Sequence, residues 1–365
     1  MQIDFHYYAT YCAACFAGYD PSESLDIAYS AQLVDISTRT FLSKINAPLE
    51  AATTQSQLEL ADARADAIGR RDITAIWASF HFLPGDLYAD VPKSFKMYRN
   101  KFRLICNTNS DLLIDTVNLA KGRPLQAAGI AMHVLADTWA HTYFAGTPSI
   151  VINNTDSHFY EEMPDGSLRK VVFRHALGGI DDLEAGIYVN SPRQSSEYSI
   201  MNLGHGRAGH LPDYSFVRYR YLPAWGGYRE IHKDNPSDYY NAFGQMIHAL
   251  RYLHGDSAEF RKGYYDTDSF FAYDNEVRDI LCRRQLLASS DWKKLGERLS
   301  GETIPDFDPE KYQKEYMDTA RSDRGNTWLG KYIQAAITHK EMVTEKIIAS
   351  GNHLAGKPMV LKKHL

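Results

Sequence analysis

The sequence predicts an all-α fold, and three observations predict it. Apolar residues recur at helical spacing in one segment after another. Pro and Gly fall where helices would start and stop, and the regular strand and helix alternation of a parallel sheet is missing. Residues 7–17 form a short apolar segment, closed by a turn at 18–23 with Asp20, Pro21 and Ser22 as the breaker. Residues 24–41 read as an amphipathic helix that gathers Ile27, Ser30, Ala31, Val34 and Asp35, with Asp35 at its inner edge. The polar stretch 46–68 reads as an exposed loop running into a surface helix. The character changes at Ile76, where IWASFHFLPG sets His81 between two phenylalanines and ends at a Pro-Gly breaker. Residues 98–121 carry a helix with Leu112, Leu113, Val117 and Leu119 on its apolar positions.

The next helix, 124–146, opens at Pro124 and stops at Gly146. From 147 to 218 periodicity fades while Gly, Asn, Asp and Pro recur, so long irregular loops are expected, with a short hairpin around 171–173. Helices at 236–254, 277–287 and 326–350 complete the chain. The organisation expected is one compact multi-helix metal-binding domain over 1–350 and a loose tail over 351–365.

At 365 residues the chain can bury a substantial core, and its 4 cysteines are too few to staple it. Cys12 and Cys15 read as buried thiols one helical turn apart. A net charge of -5 shows no basic excess, which argues against duplex DNA as a partner. No apolar run approaches the ~18 residues that span a bilayer, and no basic region precedes the first hydrophobic residues. A cytoplasmic protein without a transmembrane segment is the expectation. The 24 Tyr and 16 Phe suit aromatic-lined clefts and core packing alike.

Chemistry concentrates on the 124–146 helix, where His133, Asp137 and His141 stand four residues apart on one face. Steps of 1.5 Å per residue separate the two histidines by about 12 Å along the axis, too far to share one ion. A carboxylate midway suits a bridge between two metals, with one histidine serving each. The competing reading is an internal helix whose histidines only form hydrogen bonds. Against it stands the cost of an unpaired buried Asp on an otherwise apolar helix.

Several chemistries are excluded by their motifs. There is no HExxH, no GxSxG and no GxxxxGK[ST], since Gly330-Lys331 and Gly356-Lys357 continue with Tyr and Pro. No His-Asp dipeptide occurs. Asp4-Phe5-His6 is similar to the opening of barrel amidohydrolases, but the alternation such a barrel needs is absent.

With His6, Asp35 and His81 upstream of His133, Asp137 and His141, the chain resembles the superfamily of zinc-dependent phospholipase C and fungal single-strand nucleases. MQIDFHYY, IAYSAQLVD, FHFLPG and HVLADTWAH also resemble a bacterial family of that type with no assigned activity. The resemblance implies a compact phospholipase C-like helical domain with two or three zinc ions, other divalent metals being admissible. It implies ligands at His6, Asp35, His81, His133, Asp137 and His141, with the Met1 amine an open candidate. The terminal pair is either His158 with Glu162 or His205 with Asp213. Relatives space the Asp and the following His more widely, with a proline between them, so His141 could serve a different metal here.

The function expected from the resemblance is metal-activated hydrolysis of a small-molecule or lipid phosphoester, with Asp137 and Asp35 as the catalytic carboxylates. The alternatives are a non-catalytic helical protein with a structural metal or a partner-binding role, and a metal-dependent amidase.

Overall fold

The computed structural model describes residues 1–63, 66–91, 95–155, 158–175 and 179–356. A π-helical turn, Asp4–Ala9, runs into α1 (Thr10–Phe16). There follow α2 (Pro21–Leu33), α3 (Arg39–Lys44), α4 (Gln57–Asp62), α5 (Ala67–Phe80), α6 (Lys96–Phe102), α7 (Asp111–Ala120), α8 (Leu125–Ala140) and α9 (Ile150–Asn153). The strands are β1 (Tyr160–Glu162), β2 (Leu168–Lys170), β3 (Val172–Arg174), β4 (Ile187–Val189), β5 (Arg218–Tyr221) and β6 (Ile231–Asp234). Helices α10 (Asn235–His254), α11 (Asp274–Cys282), α12 (Ser289–Ser300), α13 (Gln313–Asp318) and α14 (Trp328–Ala349) close the chain.

The helices form where caps and apolar faces coincide. At α2, Asp20 Oδ1 accepts from the Glu23 amide at 2.8 Å and Glu23 Oε2 accepts from the Asp20 amide at 3.3 Å, a capping box with Pro21 in the first turn. Ser110 and Thr327 cap α7 and α14 through the hydroxyl half of this arrangement alone, accepting from the Leu113 and Gly330 amides. Every residue of α8 after Leu125 is buried, and α8 packs against α2, α5, α7, α10 and α14. Gly129 sets its closest approach. A Cβ there would lie 2.4 Å from the Ile27 carbonyl oxygen and 2.5 Å from Ser30 Cβ, so only glycine lets α2 and α8 meet backbone to backbone.

The all-α expectation is overturned. The chain is 53% helical, yet it carries a four-stranded antiparallel sheet in the order β2-β1-β5-β6 and a parallel pair, β3 with β4, so the fold is mixed and helix-rich. In register, Glu161 faces Arg169 on one side and Tyr219 on the other. Each strand is only three or four residues long, too short for a two-residue alternation to stand out. The hairpin is β1–β2, upstream of 171–173, while Val172 and Phe173 pair in parallel with Ile187 and Tyr188. Tyr219 and Tyr221 turn inward onto Phe159 and Phe144, giving the sheet its own apolar core beside the helical one.

Other boundaries differ from expectation for local reasons. The central helix ends at Ala140 rather than Gly146, with His141 as its C-cap at φ -93°, ψ 10°. Helix α2 ends at Leu33, so Asp35 lies in the turn beyond it. The 98–121 segment breaks into α6 and α7 around Asn109, whose φ is 56°. Within 46–68, Thr53, Thr54 and Gln55 are buried rather than exposed, because Thr53 bonds the Ser37 and Val34 carbonyls from its amide and hydroxyl. Of the tail, Asn352 donates to the Asn100 carbonyl at 2.7 Å and Ala355 is buried, while 357–365, with His364, lie outside the described residues. Among the described residues no helix is long and apolar enough to cross a membrane.

Candidate metal centre

Five elements deliver ligand-type side chains to one point beside α8. The π-helical turn brings His6, the turn after α2 brings Asp35, and the C-cap of α5 brings His81. Helix α8 brings His133 and Asp137 one turn apart, with His141 at its end. The loop between β4 and β5 brings His205 and Asp213 on two 3-10 turns.

Three groups offer ligand atoms within 4.8 Å of one another and could hold metal ions: His6 with His133 and Asp137, Asp35 with His81 and His133, and His141 with His205 and Asp213. His133 and His141 fall in different groups, as their separation along the helix requires. Asp137 reaches both ways. Its Oδ2 lies 3.2 Å from His81 Nδ1 and 3.2 Å from His133 Nε2, and its Oδ1 lies 3.1 Å from His6 Nε2. In this chain the Met1 amine stands between the groups, 2.7 Å from Asp137 Oδ1 and 3.3 Å from Asp213 Oδ1.

The second ring nitrogens fix the chemistry. His81 Nε2 donates to the Thr53 carbonyl at 3.1 Å, His133 Nδ1 to Ala31 at 2.9 Å, His141 Nδ1 to His81 at 2.7 Å and His205 Nδ1 to Gly209 at 2.8 Å. A neutral imidazole that donates from one nitrogen offers a lone pair at the other, and here those lone pairs face the cluster. His81 Nδ1 and His133 Nε2 are then two lone pairs only 3.3 Å apart, both beside a carboxylate oxygen. Such groups repel unless a cation sits among them. His6 adds a second sign: it is fully buried and stacked on His133 at 3.8 Å, its Nδ1 has no hydrogen-bond partner, and its Nε2 faces Asp137 Oδ1 at 3.1 Å without good hydrogen-bond geometry. The residues therefore fit a metal.

Electrostatics agree. Burial pushes His6 down to about 4, helped by His133, and pushes His205 down to about 4 against the pull of Asp213. Both rings thus stay neutral and free to ligate at neutral pH. Burial alone would raise the Asp137 and Asp213 carboxyls. His141 and the Met1 amine at Asp137, and His205 and that amine at Asp213, hold them well below the usual carboxylate range instead.

Of the sequence candidates, His6, Asp35, His81, His133, Asp137, His141, His205 and Asp213 come together. His158 and Glu162 do not. His158 is only half-buried and bonds Glu230 at 2.6 Å, and Glu162 pairs with Arg220 at 3.2 Å. Sequence reasoning missed the backbone carbonyls that orient the histidines, which carry no sequence signal. It placed His210 in the same functional loop as Asp213 without making it part of the site, and His210 Nδ1 lies 3.2 Å from Asp213 Oδ2.

No curated protein and no solved structure matches the chain. A family profile does, over residues 1–347, and on that match the chain belongs to the family of unknown function DUF6765.

Proposed function

We propose that this protein is a metal-dependent phosphoester hydrolase, with zinc as its metal and two or three ions along α8. The observation that carries the reading is the convergence of His81 and His133 lone pairs, 3.3 Å apart, on the Asp137 carboxylate in the buried interior. The resemblance of the ligand order to phospholipase C and single-strand nucleases supplies the reaction class. Bound zinc ions would supply Lewis acidity and a bound water of lowered pKa. The chain's own groups do the rest. Asp137, 1% exposed, bridges the His6 and His81/His133 sides and lends charge to both. Asp35 has a side chain 30% exposed, and Gln32 Nε2 steadies its Oδ2 at 3.4 Å, so Asp35 is the carboxylate best placed to meet substrate and accept a proton. The Ala31, Thr53, His81 and Gly209 carbonyls hold four imidazoles in one tautomer each.

The test is metal analysis of untagged protein, followed by assay on aryl phosphate, phospholipid head-group and single-stranded nucleic-acid substrates. Two or three ions with chelator-sensitive turnover are expected. A second reading, a purely structural metal, is favoured by the burial of His6, His133 and Asp137 at 0–1% exposure. One tightly held ion, with no turnover across the panel, would select it.

A further inference from the structure

The outer group of ligands, His141 with His205 and Asp213, joins the end of a helix to a turn from a remote loop, and one short stretch of chain grips both. Strand β6 ends at Asp234 and α10 begins at Asn235. Around that junction Lys233, Asn235 and Tyr239 are all buried. Lys233 pairs across the sheet with Tyr219 and sends its ammonium to the Trp139 carbonyl at 2.9 Å, with Asp238 as its counter-ion. Trp139 lies in the last turn of α8, where carbonyls lack helical partners, and the Thr142 hydroxyl also reaches it at 3.3 Å. A cation is favourable at a helix C-terminus, and this one fixes the backbone from which His141 leaves.

Asn235 and Tyr239 hold the other side. Asn235 Nδ2 donates to the Leu211 and Tyr214 carbonyls, each at 2.8 Å, and the Tyr239 hydroxyl donates to the Pro212 carbonyl at 3.1 Å. These carbonyls flank Asp213 on both sides. Asn235 Oδ1 is buried without a partner, so the side chain serves as a donor alone. The 3-10 turn Leu211–Asp213 is too short for a ladder of backbone bonds, so individual side-chain bonds set where its carboxylate stands. The outcome is that His141 Nε2 and Asp213 Oδ1 face each other at 3.2 Å.

Groups that orient ligands without touching the metal still govern its affinity. We infer, on the metal reading of the centre and independently of its hydrolytic activity, that Lys233, Asn235 and Tyr239 are positioning residues for an ion held by the outer group. They act through the backbone at Trp139 and around Asp213, setting the separation of His141 and Asp213 on which that ion depends.

Metal retention rather than turnover tests this. Full-length protein as purified would be challenged with rising concentrations of a chromophoric zinc chelator that reports each ion withdrawn, and Asp213→Asn would mark which ion belongs to the outer group. Lys233→Met should weaken that ion about 10-fold, the lower end of what loss of a ligand-orienting group costs. Tyr239→Phe, which removes one neutral hydrogen bond, should weaken it about 3-fold. The inner ion, on the Asp137 side, should be withdrawn as in wild type. Tyr239→Phe keeps the ring packed on Phe5, 5.0 Å between centroids, and carries the test if Lys233→Met fails to fold. Leu281→Ala, a core truncation in α11, should lower the melting temperature at least as much and leave the withdrawal of both ions unchanged.

Unchanged withdrawal in Lys233→Met and Tyr239→Phe, equal weakening of inner and outer ions, or the same outer loss in Leu281→Ala would overturn the positioning role. So would ions that all survive Asp213→Asn. Protein purified without any ion would overturn the metal centre and the positioning role together. Selective outer loss in a protein that turns over none of the phosphoester panel would keep the positioning role and overturn the hydrolase.

Discussion

The two halves of the candidate metal centre are built differently. The half around Asp137 draws its ligands from helices, or their ends, in the middle of the helical core, and His6, His133 and Asp137 have no contact with solvent. The half around Asp213 hangs from short 3-10 turns beside the sheet, and its outer member, His210, has a side chain 56% exposed. Helices fix positions through repeated backbone bonds, so the first half is rigid and tolerates no change of volume. Loops fix positions through single contacts, so the second half can adjust to an incoming group. A rigid bridging carboxylate and an adjustable outer ligand set are what a site needs if it is to hold metals and still admit substrate.

The comparison is broken most directly at Asp137. Asp137→Asn should lose more metal than His133→Ala or His141→Ala, measured by plasma emission, because only this carboxylate reaches both neighbours. It should also cost roughly 3–5 kcal/mol in stability by leaving buried partners uncompensated. Asp213→Asn should lose metal from its own group alone and, since Asp213 is also buried and paired, should lower the melting temperature as well, though less than Asp137→Asn. Equal metal loss in the two Asp variants would mean that the halves are one site.

The difference in rigidity predicts the next effect. Gly129→Ala drives a Cβ onto the α2 backbone and should cost about 2–3 kcal/mol in urea unfolding. Gly206→Ala in the loop half meets the Ser191 hydroxyl at 2.8 Å, which can rotate aside, with the Ser191 Cβ at 3.4 Å and the Met201 carbonyl oxygen at 3.7 Å in ordinary contact, and should cost under ~1 kcal/mol.

The pH response separates the halves again. His339 on α14 is buried in the helical core, donates to the Ser79 carbonyl at 2.9 Å, and is pushed down by burial to about 4 from 6.5. Below its unfolded value the unfolded chain binds the extra proton. Stability therefore falls as pH drops from 6.5 towards about 4, by up to roughly 3 kcal/mol. His339→Gln should flatten the difference between unfolding at pH 7 and pH 5.

His210 has the opposite sign. Its bond to Asp213 raises its value, so the stabilisation is present below 6.5 and is lost as pH rises through the folded value. Because the side chain is exposed, His210→Gln should change stability at pH 7 by under ~0.5 kcal/mol, the smallest effect of the series in thermal melts.

The same contrast governs what could be read from the chain. Helix α8 was legible because its apolar residues, its Pro124 start and its His133, Asp137 and His141 spacing all lie within one stretch. The strands were not, because segments of three or four residues are too short to show a local period and one pairing, Tyr160 with Arg220, joins residues 60 apart. Likewise the choice between His158 with Glu162 and His205 with Asp213 depends on where a long loop returns. Spacing pointed to His158 with Glu162, and the fold brings His205 and Asp213 to the cluster instead.

By itself, then, the sequence determined the central helix, the order of six candidate metal-binding residues upstream and along it, and the absence of several chemical motifs. Those are properties of residues close in the chain, where helical geometry converts spacing directly into position. Only the tertiary structure decided that His205 and Asp213 complete the cluster, that the Met1 amine of this chain lies between Asp137 and Asp213, and that backbone carbonyls of Ala31, Thr53, His81 and Gly209 set the tautomers. Each of those depends on contacts between segments remote in sequence, and a main-chain carbonyl is present at every residue, so its role is visible only once the chain has folded around it.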